Sequence, residues 1–318
     1  MTKRRRESER PGSHAGAPWR SLIAIGAIVA AALGVAAWRY LATRPPTRDG
    51  APSWSPDGRK VVFYSERANG KADLFVINAD GTGLRDLNPT EGADEGAPAF
   101  SPDGERIAYD SDAGGNFDIW VMAAAGGAGK PLTRHPGRDV APAWSPDGSK
   151  IAFMSDRGGK GFDVYVMNAD GTGVEPVTST RSSWFPQFSP DDQGRRLAMH
   201  VHRDVHVLDL PTKTLRRLTT DPLNGMYPTW SNDGRLAFMT WRSGRTEIFT
   251  MDAAGSRQEL LMSMPSGGAI DPRFSPDGTH LAFVHVPEAT PDQPQSADQS
   301  RVIYVIDMET KRVRRLSR

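Results

Sequence analysis

Residues 141–178 read Ala141-Pro-Ala-Trp-Ser-Pro-Asp-Gly148, Lys150-Ile-Ala-Phe-Met-Ser155, Phe162-Asp-Val-Tyr-Val-Met167, Asn168-Ala-Asp-Gly171 and Val174-Glu-Pro-Val-Thr178. Four short apolar or alternating runs are divided by turn chemistry, which is the pattern of an antiparallel four-stranded meander. The runs are rich in β-branched and aromatic residues and too short for helices. Ser145-Pro-Asp-Gly148 suits a tight turn. Proline presets φ, aspartate bonds nearby amides, and glycine accepts the left-handed conformation. Asp170-Gly171 is a second hairpin signal.

The tetrapeptide recurs at Ser55, Ser101, Ser145 and Ser275, and in degraded form at Ser189 (Ser-Pro-Asp-Asp) and Ser231 (Ser-Asn-Asp-Gly). The serines lie 46, 44, 44, 42 and 44 residues apart, a spacing that belongs to propeller blades. An aromatic precedes each serine: Trp54, Phe100, Trp144, Phe188, Trp230 and Phe274. A second recurs in the third run, at Phe75, Trp120, Tyr165, Phe249 and Tyr304. One blade cannot bury two apolar faces alone, so these rings are expected to pack between neighbours. The chain is therefore predicted to be all-β, a six-bladed β-propeller over residues 51–318 with blades beginning near 51, 97, 141, 185, 227 and 271. Six complete units leave no terminal strand over, so ring closure is expected to rest on side-chain packing between blades 1 and 6.

The run Pro-x-Trp-Ser-Pro-Asp-Gly-x-x-Ile-Ala-Phe-x-Ser-Asp-Arg, followed by Asp-Val-Tyr-Val-Met-Asn-Ala-Asp-Gly, resembles the propeller repeat of the TolB family. The resemblance covers about residues 51–318, close in blades 1 to 3 and looser in blades 4 to 6. It implies a periplasmic, non-enzymatic module of the Tol–Pal envelope system, whose rim and channel mouth bind partner proteins, including the peptidoglycan-associated lipoprotein. TolB carries a separate N-terminal domain that has no counterpart here, so contacts made through it do not carry over. Oligogalacturonate lyases resemble the repeat as well, and they hold a metal inside the propeller. Their likeness implies the alternative, a metal-dependent carbohydrate-active lyase or hydrolase.

The first 50 residues are different material. Residues 1–20 form a basic leader, with Lys3, Arg4, Arg5, Arg6, Arg10 and Arg20. Leu22 to Trp38 is apolar and uncharged, long enough to span a bilayer as a helix. Trp19 and the pair Trp38/Tyr40 stand about 28 Å apart at a rise of 1.5 Å per residue, where interfacial aromatics belong. The reading is a transmembrane anchor at 21–41, basic side in the cytoplasm and propeller outside, joined by a Pro-rich linker at 42–50. A signal peptide cleaved after Val35-Ala-Ala37 is the competing reading. Either way the propeller is exported. A net charge of +1 gives no reason to expect a nucleic-acid partner, and with no cysteine there is no disulfide framework.

No catalytic motif is present in the sequence: neither a Gly-x-Ser-x-Gly elbow nor a Walker loop occurs. Residues entering the first strands are expected to border the channel mouth. There blades 1 to 3 offer alanine, while blades 4 to 6 offer Phe185, Gln187, Tyr227, Thr229, Asp271 and Arg273 as a partner-binding surface. His200, His202 and His206 in blade 4 are the local anomaly. If Val201 and Val205 flank a shortened loop, His200 and His206 become cross-strand neighbours, a structural pair or half of a divalent-metal site. A carboxylate precedes the third run at Asp73, Asp118, Asp163, Asp204 and Glu247 and becomes Val302 in blade 6. It is expected to close a loop by a hydrogen bond to backbone, with calcium binding as the other reading. The insertion from Pro287 to Ser300 reads as a surface loop.

Overall fold

Residues 47–66, 70–88, 92–190, 194–220, 225–288 and 300–317 are described by a computed structural model. The anchor predicted at 21–41, the basic leader and most of the 287–300 insertion lie outside these residues. Among the described residues no helix is long and apolar enough to cross a membrane.

The local chemistry of each turn starts the fold. Ser145 Oγ donates to Asp147 Oδ1 at 2.6 Å and accepts the Lys150 amide at 2.9 Å, while the Gly148 amide returns to the Ser145 carbonyl at 2.9 Å. Gly148 sits at a φ of 69°, a conformation that costs a Cβ-bearing residue about 1 kcal/mol or more. Asp147 is held below the usual carboxylate range, first by the Ser145 hydroxyl and then by the Ser149 amide. The same bonds recur at Ser55, Ser101 and Ser275.

Every turn joins two antiparallel strands, and the described residues form six sheets, each of four strands. The first strands are Arg48–Trp54, Glu95–Phe100, Asp139–Trp144, Ser183–Phe188, Met226–Trp230 and Gly268–Phe274. Blade 1 thus begins inside the segment read as linker, three residues before Ala51. Within a blade the third-strand aromatic faces one on the second strand: Phe63 on Phe75, Phe153 on Tyr165, Phe283 on Tyr304. Three of the five carboxylates close their loops: Asp118 takes the His135 amide at 3.2 Å and Asp163 the Thr180 amide at 2.7 Å, and a threonine hydroxyl joins them and Asp204. Asp118 accepts Thr133 Oγ1 at 3.1 Å, Asp163 accepts Thr178 Oγ1 at 2.9 Å, and Asp204 accepts Thr219 Oγ1 at 2.9 Å.

Apolar burial runs between blades rather than through a common centre. Trp144 packs with Ala108, Ile119 and Val121 of blade 2, Phe188 with Val164 and Val166 of blade 3, and Trp230 with Val205 and Val207 of blade 4. Trp54 packs with Ala282, Ile303 and Val305 of blade 6, so the ring closes through the same contact.

Closure also uses the backbone, which the expectation of side-chain packing alone did not include. At four joints an amide in or just before the first strand donates to the loop before the third strand of the preceding blade: Asp139 to Phe117 at 2.8 Å, Ser183 to Phe162 at 2.9 Å, Gly225 to Arg203 at 2.7 Å and Ala269 to Thr246 at 3.0 Å; between blades 1 and 2 the Ala72 amide donates to the Asp94 carboxylate at 3.1 Å instead. Asp49 donates likewise to Arg301 at 3.1 Å, and the Arg301 amide returns to Thr47 at 2.8 Å. Where blade 6 has Val302 in place of a carboxylate, Ser317 Oγ donates to Asp49 of blade 1. Asp49 also accepts Ser65 Oγ at 2.5 Å, and Ser317 Oγ accepts the Ile303 amide at 2.9 Å. One buried carboxylate thereby ties the first blade to the last.

Asp49→Ala strands two buried serine hydroxyls and should cost about 3 kcal/mol, a fall of roughly 6–12 °C in Tm. Amide exchange at Ile303 should quicken, and Ser317→Ala should cost less. Calorimetry and exchange mass spectrometry check this; an unchanged Tm in Asp49→Ala would remove the carboxylate from the closure.

Candidate functional site

The central channel is built by an irregularity that all six first strands share. Each slips register against its second strand, between Gly50 and Ser53, Gly96 and Ala99, Val140 and Ala143, Trp184 and Gln187, Met226 and Thr229, and Ile270 and Arg273. At each slip a left-handed residue precedes a proline: Ala51 (φ 48°), Ala97 (39°), Ala141 (54°), Phe185 (53°), Tyr227 (52°) and Asp271 (51°). Proline has no amide for the ladder and is tolerated at a bulge, and a bulge re-aims the side chain beside it. Here it turns those six side chains toward the channel.

Two cavities lie along that channel. The larger, about 230 Å³, is lined by Ser53, Gln187, Thr229 and Arg273 together with the first-strand aromatics. The smaller, about 120 Å³, is lined by Tyr64, Tyr227, Asp271 and Arg301 among others. The level of the six bulges forms a waist, where Ala51, Ala97 and Phe185 border both cavities and Tyr227 and Asp271 line the smaller one. The expected asymmetry holds. Blades 1 to 3 place methyl groups at the waist, and blades 4 to 6 place two rings and a carboxylate.

The bulge amides decide what surrounds the waist. Ala141 donates to Asp110 Oδ2 at 2.8 Å, Phe185 to Met154 Sδ at 3.1 Å, and Tyr227 to His200 Nδ1 at 3.4 Å. These acceptors occupy one equivalent place, the fifth residue of the preceding blade's second strand. Val284 has that place in blade 6 and cannot accept, and the Asp271 carboxylate takes the Ala51 amide instead. Asp271 also pairs with Arg273 at 2.8 Å, and Arg273 donates to the Pro272 carbonyl at 2.8 Å. With side chains only 8% and 14% exposed, this pair is turned inward.

Burial without a full countercharge shifts several of these groups. Desolvation pushes Asp110 up to about 6 against the pull of the Ala141 amide. It pushes Asp271 up too, against Arg273 and the Ala51 amide. His200 is pushed down to about 3 by burial, with His206 adding to the effect. Tyr227 rises to about 12 through burial and then the Asp271 charge. His200 is one ring in a stack. It lies 6.4 Å from Trp184 at 5° between planes, 5.8 Å from Phe185 and 5.7 Å from Tyr227, and those two stand 4.7 Å apart.

That arrangement corrects the reading of the histidines. The second hairpin of blade 4 turns on His202 and Arg203, both left-handed (φ 49° and 69°), and pairs Val201 with Asp204. His200 then faces Val205 and His206 faces Met199. Directly opposed residues share a face, so the two imidazoles point to opposite faces of the blade. His206 bonds the Asp204 carbonyl through Nδ1, and His202 is exposed in the turn. Among the described residues no three His, Cys, Asp or Glu side chains are grouped to hold a metal ion. Tyr64, Asp110 and Arg301 were missed by sequence reasoning. For the first two, their shared place in the repeat was the available signal.

The family model of the TolB beta propeller domain matches residues 90–193 and 180–290, well over half the chain. The chain belongs to the TolB β-propeller family. A TolB homolog of Chlorobium chlorochromatii is 37% identical over 130 residues, 38% of this chain and 28% of that protein. The match thus spans under a third of that relative's length. Among solved structures, TolB from Acinetobacter baumannii superposes with a TM-score of 0.62 at 18% identity, over 85% of this chain and 62% of that one. An oligogalacturonate lyase in complex with manganese gives 0.57 at 14% identity, over 86% and 78%. At such identities these structures share the fold alone.

Stability should carry two opposed titrations. Asp110 has its folded pKa raised, so its contribution is full below about pH 4 and lost as pH rises through about 6, of order 3 kcal/mol. Asp110→Asn keeps an acceptor and should exceed wild type at pH 8, the gap closing by pH 4. The folded pKa of His200 is depressed, so stability is lost as pH falls below about 6.5 toward 3. His200→Asn retains an acceptor and should flatten that acid limb. Tm measured from pH 4 to 8 decides both, and an Asp110→Asn curve parallel to wild type refutes the first.

Proposed function

We propose that this TolB-family propeller is a non-catalytic interaction module of the cell envelope. It is held in the cytoplasmic membrane by residues 21–41, with the N-terminus in the cytoplasm, and captures a protein partner of the peptidoglycan-associated lipoprotein type. Blades 4 to 6 carry the contact, through Phe185, Gln187, Tyr227, Thr229, Asp271 and Arg273. The observation that supports this is the one-sided channel. Six bulges of equal geometry bear only methyl groups on blades 1 to 3 and chemistry-bearing side chains on blades 4 to 6. A rigid ring with one functionalised wall suits recognition of a single asymmetric partner.

Arg273→Ala is a poor probe, because it strips the buried Asp271 of its cation. Gln187→Ala and Tyr227→Ala are better, since alanine already occupies the left-handed place of Tyr227 at Ala51, Ala97 and Ala141. Affinity capture from detergent-solubilised envelopes, repeated with purified lipoprotein of the same host, should lose at least tenfold in yield in either variant while Tm falls by no more than a few degrees. Full capture by both variants overturns the assignment. A stoichiometric transition metal together with cleavage of polygalacturonate would favour the lyase alternative. The full-length chain should resist carbonate extraction from membranes, and deletion of residues 1–46 should release it.

A further inference from the structure

The smaller cavity has a donor surplus that the fold does not use. Of its acidic groups, Asp49 accepts the Ser65 and Ser317 hydroxyls, and Asp271 takes the Ala51 amide, its Oδ1 being held by the ion pair with Arg273 rather than by an aligned hydrogen bond. Asp110, which lies near Tyr64, accepts the Ala141 amide. What remains is Arg301 and the phenols of Tyr64 and Tyr227. The Arg301 main chain is fixed at the ring-closing joint, bonded to Thr47 and Asp49. Its exposed guanidinium has no ion-pair partner among the described residues, yet its charge acts on both tyrosines. Burial raises both phenols, which keeps them protonated as donors. Neither phenol has a hydrogen-bond partner among the described residues.

A guanidinium fork with two hydroxyl donors matches a planar, doubly accepting anion. The volume of about 120 Å³ is the share of about four waters at ~30 Å³ each, the size of an acetate or propionate group. We propose that this cavity is a subsite for the carboxylate of a polypeptide partner, either an acidic side chain or a free C-terminus, entering from the channel end that Arg301 marks. The subsite rests on the interaction-module reading, and it names the chemistry by which the partner is held.

The full-length chain in detergent is titrated calorimetrically with three peptides. They are acetyl-Ala-Ala-Asp-amide, acetyl-Ala-Ala-Ala with a free C-terminus, and acetyl-Ala-Ala-Asn-amide as the neutral control. One or both acidic peptides should bind and the control should not; which one binds identifies the source of the carboxylate. Arg301→Gln keeps the joint's backbone bonds and should weaken binding at least tenfold, and Tyr64→Phe about threefold, with Tm unchanged in both. Equal binding of the neutral peptide, no binding of either acid, or wild-type affinity in Arg301→Gln overturns the subsite. Lipoprotein capture surviving alongside any of those results leaves the broader reading standing. Carboxylate binding with no protein capture has the opposite meaning.

Discussion

Each first strand must pass a proline in the middle of a hydrogen-bonded ladder, and the chain meets this six times in the same way. The residue before the proline goes left-handed, the register slips, and one amide is turned out of the ladder. A left-handed L-residue costs roughly 1–2 kcal/mol, and a buried amide without a partner costs a comparable amount. The strain is tolerable only if the displaced amide finds an acceptor. The preceding blade supplies one at Asp110, Met154 and His200. The bulge thus shapes the channel and binds adjacent blades at once.

The same economy explains closure without a swapped strand. Five joints combine a first-strand aromatic on the previous blade with an amide at the first strand bonded to the loop before that blade's third strand, and between blades 1 and 2 the Asp94 carboxylate takes the Ala72 amide instead. Trp144 adds an indole bond to the Ala99 carbonyl at 3.2 Å, and Trp54 makes its counterpart to Arg273 at 3.1 Å. The joint between blades 6 and 1 therefore reproduces the internal ones. Its Asp49 carboxylate takes the Ser317 hydroxyl much as Glu95 takes the Asn88 side-chain amide at 2.6 Å between blades 1 and 2, here beside Val302 rather than an acid. A buried charge held by two hydroxyls couples the first and last blades more tightly than packing alone, since it tolerates neither dry separation nor partial wetting.

What was legible in the sequence follows from range. The Ser-Pro-Asp-Gly turns bond within five residues, so blade number and strand order could be read directly. The channel-facing residues could be placed because the repeat is periodic. The bulge was not read, although a proline follows each of Ala51, Ala97, Ala141, Phe185, Tyr227 and Asp271. A proline inside a strand is the signal for it. Asp110 and Tyr64 escaped because their roles are set across a blade joint. Arg301 escaped because it follows an insertion that interrupts the repeat. The histidine pairing failed by one residue. A two-residue turn at His202-Arg203 uses left-handed conformations that neither residue advertises, and one step of register exchanges the faces of a strand.

The acceptor place on the second strand shows how a symmetric ring acquires a one-sided channel. Tyr64, Asp110, Met154, His200, Met239 and Val284 occupy it in turn, an unusual range for a buried position. The bulge amide donates to an oxygen, a sulfur or a ring nitrogen, and where blade 6 offers only Val284 the Ala51 amide of blade 1 takes the Asp271 carboxylate, so the fold constrains this place weakly. The channel field is sensitive to it, because each occupant sits in a poorly solvated space where one charge moves pKa values by units. A change of residue at such a place alters the field in the channel at little cost to folding. The bulge place beside it varies too, with alanine at 51, 97 and 141 and Phe185, Tyr227 and Asp271 in the other three blades, so the two places together make the channel wall one-sided while the ring stays regular.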